Sequence, residues 1–310
     1  MPQQFAQISD PHLSSLHEVR LQDLLNKRAL GYLSWRRKRQ FEHRREVLEK
    51  LQEDLRAFQL DQLLVTGDLT HIGLPCEFEQ ARDWLQELGT PQQVAVVPGN
   101  HDASVRAEWS QTFALWQAYM SGDDANPLPV ASNRSQYTSG FPSLRVRDDI
   151  AFIGLSTGCP KPPLMATGTV GAQQLSKLPT LLDETSKRGL LRVVYLHHSP
   201  LPGHEIWRKR LTDATAVRDI LVNHGAELVL HGHGHRAHFS ELETRAGNAA
   251  VIAVPSASAL GLHGADCARY NCYETARQDD GWRVTIKPRL YDAQTERFTA
   301  GEEQQLTLSR

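Results

Sequence analysis

The sequence predicts an α/β domain in which two mixed β-sheets lie inside a coat of helices. Three observations predict it. Apolar, β-branched runs alternate with helix-period runs through the front two thirds of the 310 residues. Consecutive strand-like runs then follow. Five of the apolar runs end in a carboxylate, an amide or an imidazole, which is where open α/β sheets bind their ligands.

The elements follow in order. Phe5-Ala6-Gln7-Ile8-Ser9 reads as a buried strand and delivers Asp10 and His12. Residues 26–45 form a basic-aromatic helical insertion in which Leu30, Leu33, Trp35 and Phe41 interleave with eight Lys or Arg residues. Val47, Leu48, Leu51, Leu55 and Phe58 then recur at helical spacing. A strand over 62–66 stops at Gly67-Asp68, and a helix near 77–88 carries Phe78, Ala81, Leu85 and Leu88 on one face. The strand over 93–97 is stopped by Pro98-Gly99 and followed by Asn100-His101-Asp102. A helix is predicted through Trp109, Phe113, Trp116 and Tyr119, then a loop over 121–135 by its turn composition. Strands near 143–148 and 150–155 read as a hairpin around Asp148-Asp149, and a Pro-rich loop at 160–163 precedes a helix near 171–187. The strand over 191–196 carries His197 and His198, and a helix near 213–224 follows. The strand over 227–230 reaches His231-Gly232-His233-Gly234-His235. Strands near 237–244, 249–254, 269–275 and 282–290 make the rest mostly β, with 265–310 as a C-terminal β extension. With no repeat, linker or low-complexity block, one domain over 1–310 is expected.

Composition narrows the classes. A net charge of -2 gives no overall pull toward nucleic acid or membrane. No apolar run approaches the roughly 20 residues of a membrane helix, and the amino terminus shows no basic-then-apolar signal region. The scattered Cys76, Cys159, Cys267 and Cys272 argue against a disulfide framework and a thiolate zinc site. A cytoplasmic location is the expectation.

Asp10, His12, Asp68, Asn100, His197, His233 and His235 make a candidate ligand set of oxygen and nitrogen alone. Such a set suits Mn²⁺, Fe, Zn²⁺ or Mg²⁺, and its imidazoles favour a transition metal over Mg²⁺. Seven ligands exceed what one tetrahedral ion uses, so two divalent ions (Mn, Fe or Zn) are expected, with Asp68 as the carboxylate between them. Two cations roughly 3.5–4 Å apart acidify a shared water and clamp phosphate oxygens. The reaction class this favours is phosphate-ester hydrolysis.

Asp10-x-His12, Gly67-Asp68, Gly99-Asn100-His101-Asp102, His197-His198 and Gly232-His233-Gly234-His235 together resemble, in order, the motifs of the calcineurin-like metallophosphoesterases. The resemblance spans roughly residues 4–260 and implies a four-layer αββα sandwich with the dimetal site at the strand C-terminal ends. By that resemblance Asp10, His12, Asp68 and His235 hold one metal, and Asp68, Asn100, His197 and His233 the other. His101 is implied to sit over the phosphate and stabilise or protonate the leaving oxygen, with Asp102 orienting it. The implied nucleophile is a hydroxide between the metals, attacking in line.

Other residues carry plainer expectations. His198 follows a ligand directly and points the opposite way in a strand, which suits a structural or substrate-edge role. His231 is expected to donate a supporting hydrogen bond behind the ligands. His71 is expected at the surface, His238 and His263 without a role, and Asp61 in a turn. The plainer reading of 26–45 is a solvated helical face. The sharper one is a cap whose Arg and Lys meet a phosphate-rich substrate, with Leu33, Trp35 and Phe41 on acyl chains or a membrane surface. Peripheral contact with the inner membrane face would follow.

Three functions compete. His197-His198-Ser199-Pro200 resembles a signature of the branch that cleaves cyclic nucleotides or glycerophosphodiesters, which makes a phosphodiesterase of a small phosphate ester the first. The second is a pyrophosphatase on a nucleotide-diphosphate-linked lipid, of the UDP-diacylglucosamine type; the 26–45 segment and His231-Gly232-His233-x-His235-Arg236 favour it, and the His197-His198-Ser199-Pro200 segment opposes it. The third is a non-catalytic scaffold, against which every ligand position is filled. Nucleic acid as substrate is disfavoured by the net charge of -2.

Overall fold

The computed structural model describes residues 3–309 except 14, 18, 124–136, 138 and 139, so the loop expected at 121–135 lies mostly outside the described residues. Two mixed sheets face each other. In the first, β1 (Gln3–Ile8), β2 (Gln62–Val65) and β3 (Val94–Val96) run parallel. The C-terminal extension completes it: β10 (Arg269–Gln278) pairs antiparallel with β1, followed by β11 (Gly281–Asp292), with β12 (Arg297–Ala300) and β13 (Gln304–Ser309) both on β11. The last two strands fall within the expected β extension but are not placed individually by the sequence, because they bury only Phe298 and Leu308. The second sheet runs β4 (Ser143–Arg147), β5 (Ile150–Gly154), β6 (Leu191–Tyr195), β7 (Leu228–His231), β9 (Gly247–Ala253) and β8 (His238–Thr244). Its four central strands are parallel and its edges antiparallel.

Period-2 alternation makes the layers. Phe152, Val193, Tyr195, Leu228, Leu230 and Ile252 join the core between the sheets. Their neighbours Ile153, Val194, Leu196, Val229 and Val251 face outward onto Leu178 and Leu182 of α6 (Ala172–Lys187) and Val217 and Leu221 of α7 (Ala214–His224). On the other side α3 (Arg45–Leu55) contributes Val47, Leu48 and Leu51, and α4 (Pro75–Leu88) contributes Phe78, Ala81 and Leu85. Each such side chain, taken out of water, contributes about 1.5–3 kcal/mol before entropy is counted. The result is the four-layer αββα arrangement. Phe5 of β1 crosses the gap to Phe152 at 5.1 Å between ring centroids and stacks on Tyr273 of β10 at 4.6 Å. Gln7 makes the polar crossing: its amide donates to the His231 carbonyl at 3.0 Å while its Oε1 accepts from the Tyr273 hydroxyl at 2.9 Å.

Two expectations change. The helix predicted through Trp109 and Tyr119 is broken into two 3₁₀ turns (Trp109–Gln111 and Phe113–Trp116) and the single-turn α5 (Gln117–Met120). Thr112 interrupts it at φ -133° and ψ -107°, its hydroxyl donating to the Glu108 carbonyl at 2.8 Å. The 26–45 segment is helical, as α1 (Arg28–Ser34), a π turn (Trp35–Arg39) and α2 (Gln40–Glu42), but it is not simply a solvated face. Arg36, Arg37 and Lys38 are exposed, whereas Trp35 is buried with Leu16, Ile72 and Leu74. Trp35 is therefore unavailable to acyl chains, while Leu33 and Phe41 remain exposed. No helix among the described residues is long and apolar enough to cross a membrane.

Candidate metal centre

All seven predicted ligands stand in the turns that leave β1, β2, β3, β6 and β7. They meet there: His197 Nε2 lies 3.2 Å from Asp68 Oδ2, 3.2 Å from Asn100 Oδ1 and 3.2 Å from His233 Nδ1. Asp10 Oδ1 lies 3.3 Å from His235 Nε2, and ligand atoms of Asp10, His12 and His235 fall within 4.8 Å of one another. Asp10, Asp68 and His197 form another such group, which joins the two halves.

Five of the seven predicted ligands also share an uncommon backbone conformation. Asp10, His12, Asp68, His233 and His235 all have left-handed φ, between 43° and 68°. Such conformations cost of order 1–3 kcal/mol each and persist only where the surroundings impose them. Those surroundings are tight. A Cβ on Gly99 would lie 2.1 Å from Asp68 Oδ1, and one on Gly232 would lie 1.7 Å from Ser9 Oγ, so both turns need glycine for close approach.

Hydrogen bonds fix the tautomers. His12 Nδ1 donates to the Thr70 carbonyl at 2.9 Å and His197 Nδ1 to the Thr66 carbonyl at 2.7 Å, which leaves each Nε2 as the nitrogen facing the centre. His12 Nε2, His233 Nε2 and Asp10 Oδ1 are buried with no hydrogen-bond partner. Acceptors that converge out of water without a donor between them fit cations. The electrostatics agree. Burial would raise the pKa of Asp10 and Asp68, but the neighbouring histidines overcome it and hold both carboxylates ionised. Burial holds His12 and His233 well below the usual imidazole value. At His197 burial is outweighed by Asp68 and Asp10, which raise its pKa to about 10. A site that holds a proton so firmly is one where a divalent cation would replace it.

Two expectations about neighbours change. Asp102 does not orient His101. Its carboxylate accepts from the backbone N–H of Asp68, Thr70 and Gly99, each at 2.9 Å, and so ties the β2 and β3 turns together. Burial, with the charge of Asp68, pushes its pKa up to about 7. The group that orients His101 is the carbonyl of His71, which accepts from Nδ1 at 2.6 Å. His71 itself is 2% exposed rather than at the surface, stacked 4.9 Å from His12. Burial and the adjacent Arg39 lower the His101 pKa to about 4.

His198 is buried with both ring nitrogens committed, Nε2 to the Ala166 carbonyl at 3.1 Å and Nδ1 to the Thr157 hydroxyl at 2.7 Å. Its ring packs 4.2 Å from His233, a structural position. His231 makes a 3.1 Å hydrogen bond to the Gly232 carbonyl through Nδ1, and its buried Nε2 has no partner. Asp61 accepts from the Gln4 amide at 2.9 Å, as a turn residue would.

Four further residues stand near the centre, of which the sequence predicts His71 at the surface and Arg39 only within the basic run. His43 lies 4.4 Å from His12, its Nδ1 2.9 Å from Ser258 Oγ. Arg39 sets a guanidinium nitrogen 3.1 Å from His101 Nδ1. His71 is the third. Glu205 brings Oε1 within 2.8 Å of the space a Cβ on Gly234 would take, and burial raises its pKa. Only the unusual composition of 26–45 signalled any of them.

Comparison with known proteins agrees with this geometry. A protein named a probable cyclic nucleotide phosphodiesterase, from Synechococcus, is 29% identical over 180 residues, spanning 57% of this chain and 58% of its own length. One of the same description from another Synechococcus strain is 27% identical over 260 residues, covering 81% and 80%. In three dimensions a dimetal phosphatase from Danio rerio matches the whole of both chains at a TM-score of 0.56 and 17% identity, a likeness of fold. The profile of the calcineurin-like phosphoesterases matches residues 4–237, three quarters of the sequence and every ligand-bearing turn. The chain spans under three fifths of the length of the first of these Synechococcus relatives, and by the match to the family profile it belongs to the calcineurin-like phosphoesterases.

Proposed function

We propose that this chain is a phosphodiesterase that works with two divalent cations (Mn, Fe or Zn) on a small phosphodiester of the cyclic-nucleotide or glycerophosphodiester type. The observation that carries the reading is the convergence of acceptor atoms around His197 Nε2 and around Asp10 Oδ1. The names of the two Synechococcus relatives support a diester as substrate. Asp10, His12, Asp68 and His235 would hold one cation, and Asp68, Asn100, His197 and His233 the other. The cations would supply an acidified water and charge for the phosphate oxygens.

The rest belongs to the chain's own side chains. His101 lines a cavity with Asn100, beside the centre. Its Nδ1–H is fixed on the His71 carbonyl, so Nε2 is the nitrogen left to serve the leaving oxygen. Asp102 holds the two turns that carry Asp68 and His101 at a fixed separation. Location in the cytoplasm is part of the same proposal.

The test is a panel on purified protein supplied with Mn²⁺, with bound metal measured. It compares bis(p-nitrophenyl) phosphate, p-nitrophenyl phosphate, cyclic AMP and a nucleotide-diphosphate-linked acyl sugar. Faster cleavage of the diester than of the monoester, with turnover of cyclic AMP, is expected. Turnover of the acyl sugar alone would replace the reading with a pyrophosphatase. Absence of bound metal would end it.

A further inference from the structure

The cavity beside the centre is lined largely by two segments that bear no predicted ligand. It measures about 230 Å³. One wall is α1 with the π turn, through Leu30, Gly31 and Arg39; the facing wall is Pro162, Pro163 and Leu164. His101 and Asn100 lie at its inner end.

Its charges are almost all committed. Lys27 Nζ donates to the Lys161 carbonyl at 2.7 Å. Arg28 donates to the carbonyls of Ile72 at 3.1 Å and Gly73 at 2.5 Å. Those bonds brace the segment against the body, and Gly31 lets it approach Ile72 closely, where a Cβ would meet Cγ2 at 2.6 Å. Arg39 differs. Its only side-chain contact within hydrogen-bond range among the described residues is His101 Nδ1, and that nitrogen already donates its proton to the His71 carbonyl. An N–H cannot accept, so the guanidinium has no acceptor there. No carboxylate lies within ion-pair distance of it among the described residues. The fields of Asp68, Asp10 and Glu77 act on it; the first two are the carboxylates cations would neutralise, and Glu77 spends its oxygens on the backbone N–H groups of His71, Ile72 and Leu74. A planar cation with unspent donors, half-buried beside a phosphate-hydrolysing centre, fits an anionic oxygen.

The opposite wall has the complementary character. Leu164 is 75% exposed and holds φ at 66°, an outlier for a bulky residue, which sets an apolar side chain at the rim. Leu30 is also largely exposed. One uncommitted cation and apolar walls match a singly charged phosphate with an apolar substituent, and not a chain of phosphates.

We propose that Arg39 and the cavity between α1 and the 162–164 loop form the substrate-selecting half of the site, taking a monoanionic phosphodiester by one non-bridging oxygen and burying an apolar or aromatic ester group. This rests on the phosphodiesterase reading and narrows it. Arg39 selects the anion, and Leu30 with Leu164 selects the ester group.

The experiment measures equilibrium binding of diphenyl phosphate and dimethyl phosphate to the Mn²⁺-supplied protein, by calorimetry. Wild type, Arg39→Gln, Arg39→Lys and Leu164→Glu are compared at verified metal content and matched circular dichroism. Diphenyl phosphate should bind wild type at least about tenfold more tightly than dimethyl phosphate. Arg39→Gln should weaken both by about ten- to a hundredfold, and Arg39→Lys by less. Leu164→Glu should erase most of the difference between the two esters. Equal binding of the two esters by wild type, or wild-type binding by Arg39→Gln, would overturn the proposal. Hydrolysis of bis(p-nitrophenyl) phosphate is followed in parallel. Selective binding without hydrolysis would sink the phosphodiesterase reading and leave the cavity assignment standing.

Discussion

The side-chain amide of Gln7 donates to the backbone carbonyl of His231 at 3.0 Å, joining the strand that ends in Asp10 and His12 to the strand that ends in His233 and His235. Both partners are buried, and the other end of the Gln7 amide is held by the Tyr273 hydroxyl. The two sheets are thus pinned to each other directly beneath the centre.

Gln7→Leu removes that pin and its two hydrogen bonds, while the His231 carbonyl keeps the Val254 N–H at 3.3 Å and the Tyr273 hydroxyl keeps the Asn271 amide at 3.3 Å. A loss of about 1–3 kcal/mol is expected, since each lost hydrogen bond is worth about 0.5–1.5 kcal/mol. Denaturant unfolding measures the loss, and metal affinity should fall with it because Asp10 and His233 sit on opposite sides of the joint. Unchanged affinity in a destabilised variant would mean that the pin serves stability alone.

On the proposed role, in which the ring serves the leaving group while the His71 carbonyl holds it, His101→Ala should lower turnover by roughly 10²–10⁴-fold and leave metal content near wild type. Elemental analysis beside steady-state kinetics reads both quantities. Loss of metal in this variant would place His101 among the ligands.

Asp68→Asn should deplete both cation positions together. Asp68 stands 3.2 Å from His197 and in ligand range of Asp10, so it serves both halves. Chelation of the wild type should likewise lower its thermal midpoint, because cations at a hundredfold excess over Kd add roughly 3 kcal/mol to the folded state. A variant with two full equivalents of metal would remove Asp68 from between the ions.

His231 gives a pH dependence with a definite sign. Burial lowers its pKa to about 4, below the roughly 6.5 of an unfolded chain. Between those values the unfolded chain binds a proton that the folded one refuses, so stability falls as pH falls through this window. Near pH 4.5 the loss attributable to His231 is about 2–3 kcal/mol relative to pH 7.5. Urea titrations of chelator-treated wild type and His231→Leu should show a shallower decline in the variant. Parallel pH profiles would rule His231 out as a source.

The ligand turns were legible because everything that makes them is local: a β-branched run, a glycine or proline stop, then the ligating side chain. Asp10, Asp68 and His197 need nothing distant to be recognised. What failed was long-range. Asp102 looked like the partner of His101 because it is adjacent in sequence, yet the backbone turns its carboxylate onto three amides. His71 was hidden because a histidine three residues beyond a ligand carries no sign of burial. Arg39 looks like Arg36 and Arg37 in a basic run. Only a π turn, which adds a residue to the helical repeat, brings Trp35 into the small core and Arg39 beside His101 while its neighbours face solvent.

The division of the ligands between the sheets also orders events in time. Asp10, His12, Asp68 and Asn100 leave the first sheet, and His197, His233 and His235 leave the second. A nascent chain emerging amino end first therefore carries four ligands long before it owns the other three. β10, the strand that covers the free side of β1, is made later still. On the proposed assignment, capture of both cations waits for residue 235 of the 310, and a ribosome halted before it would release a product with no complete centre.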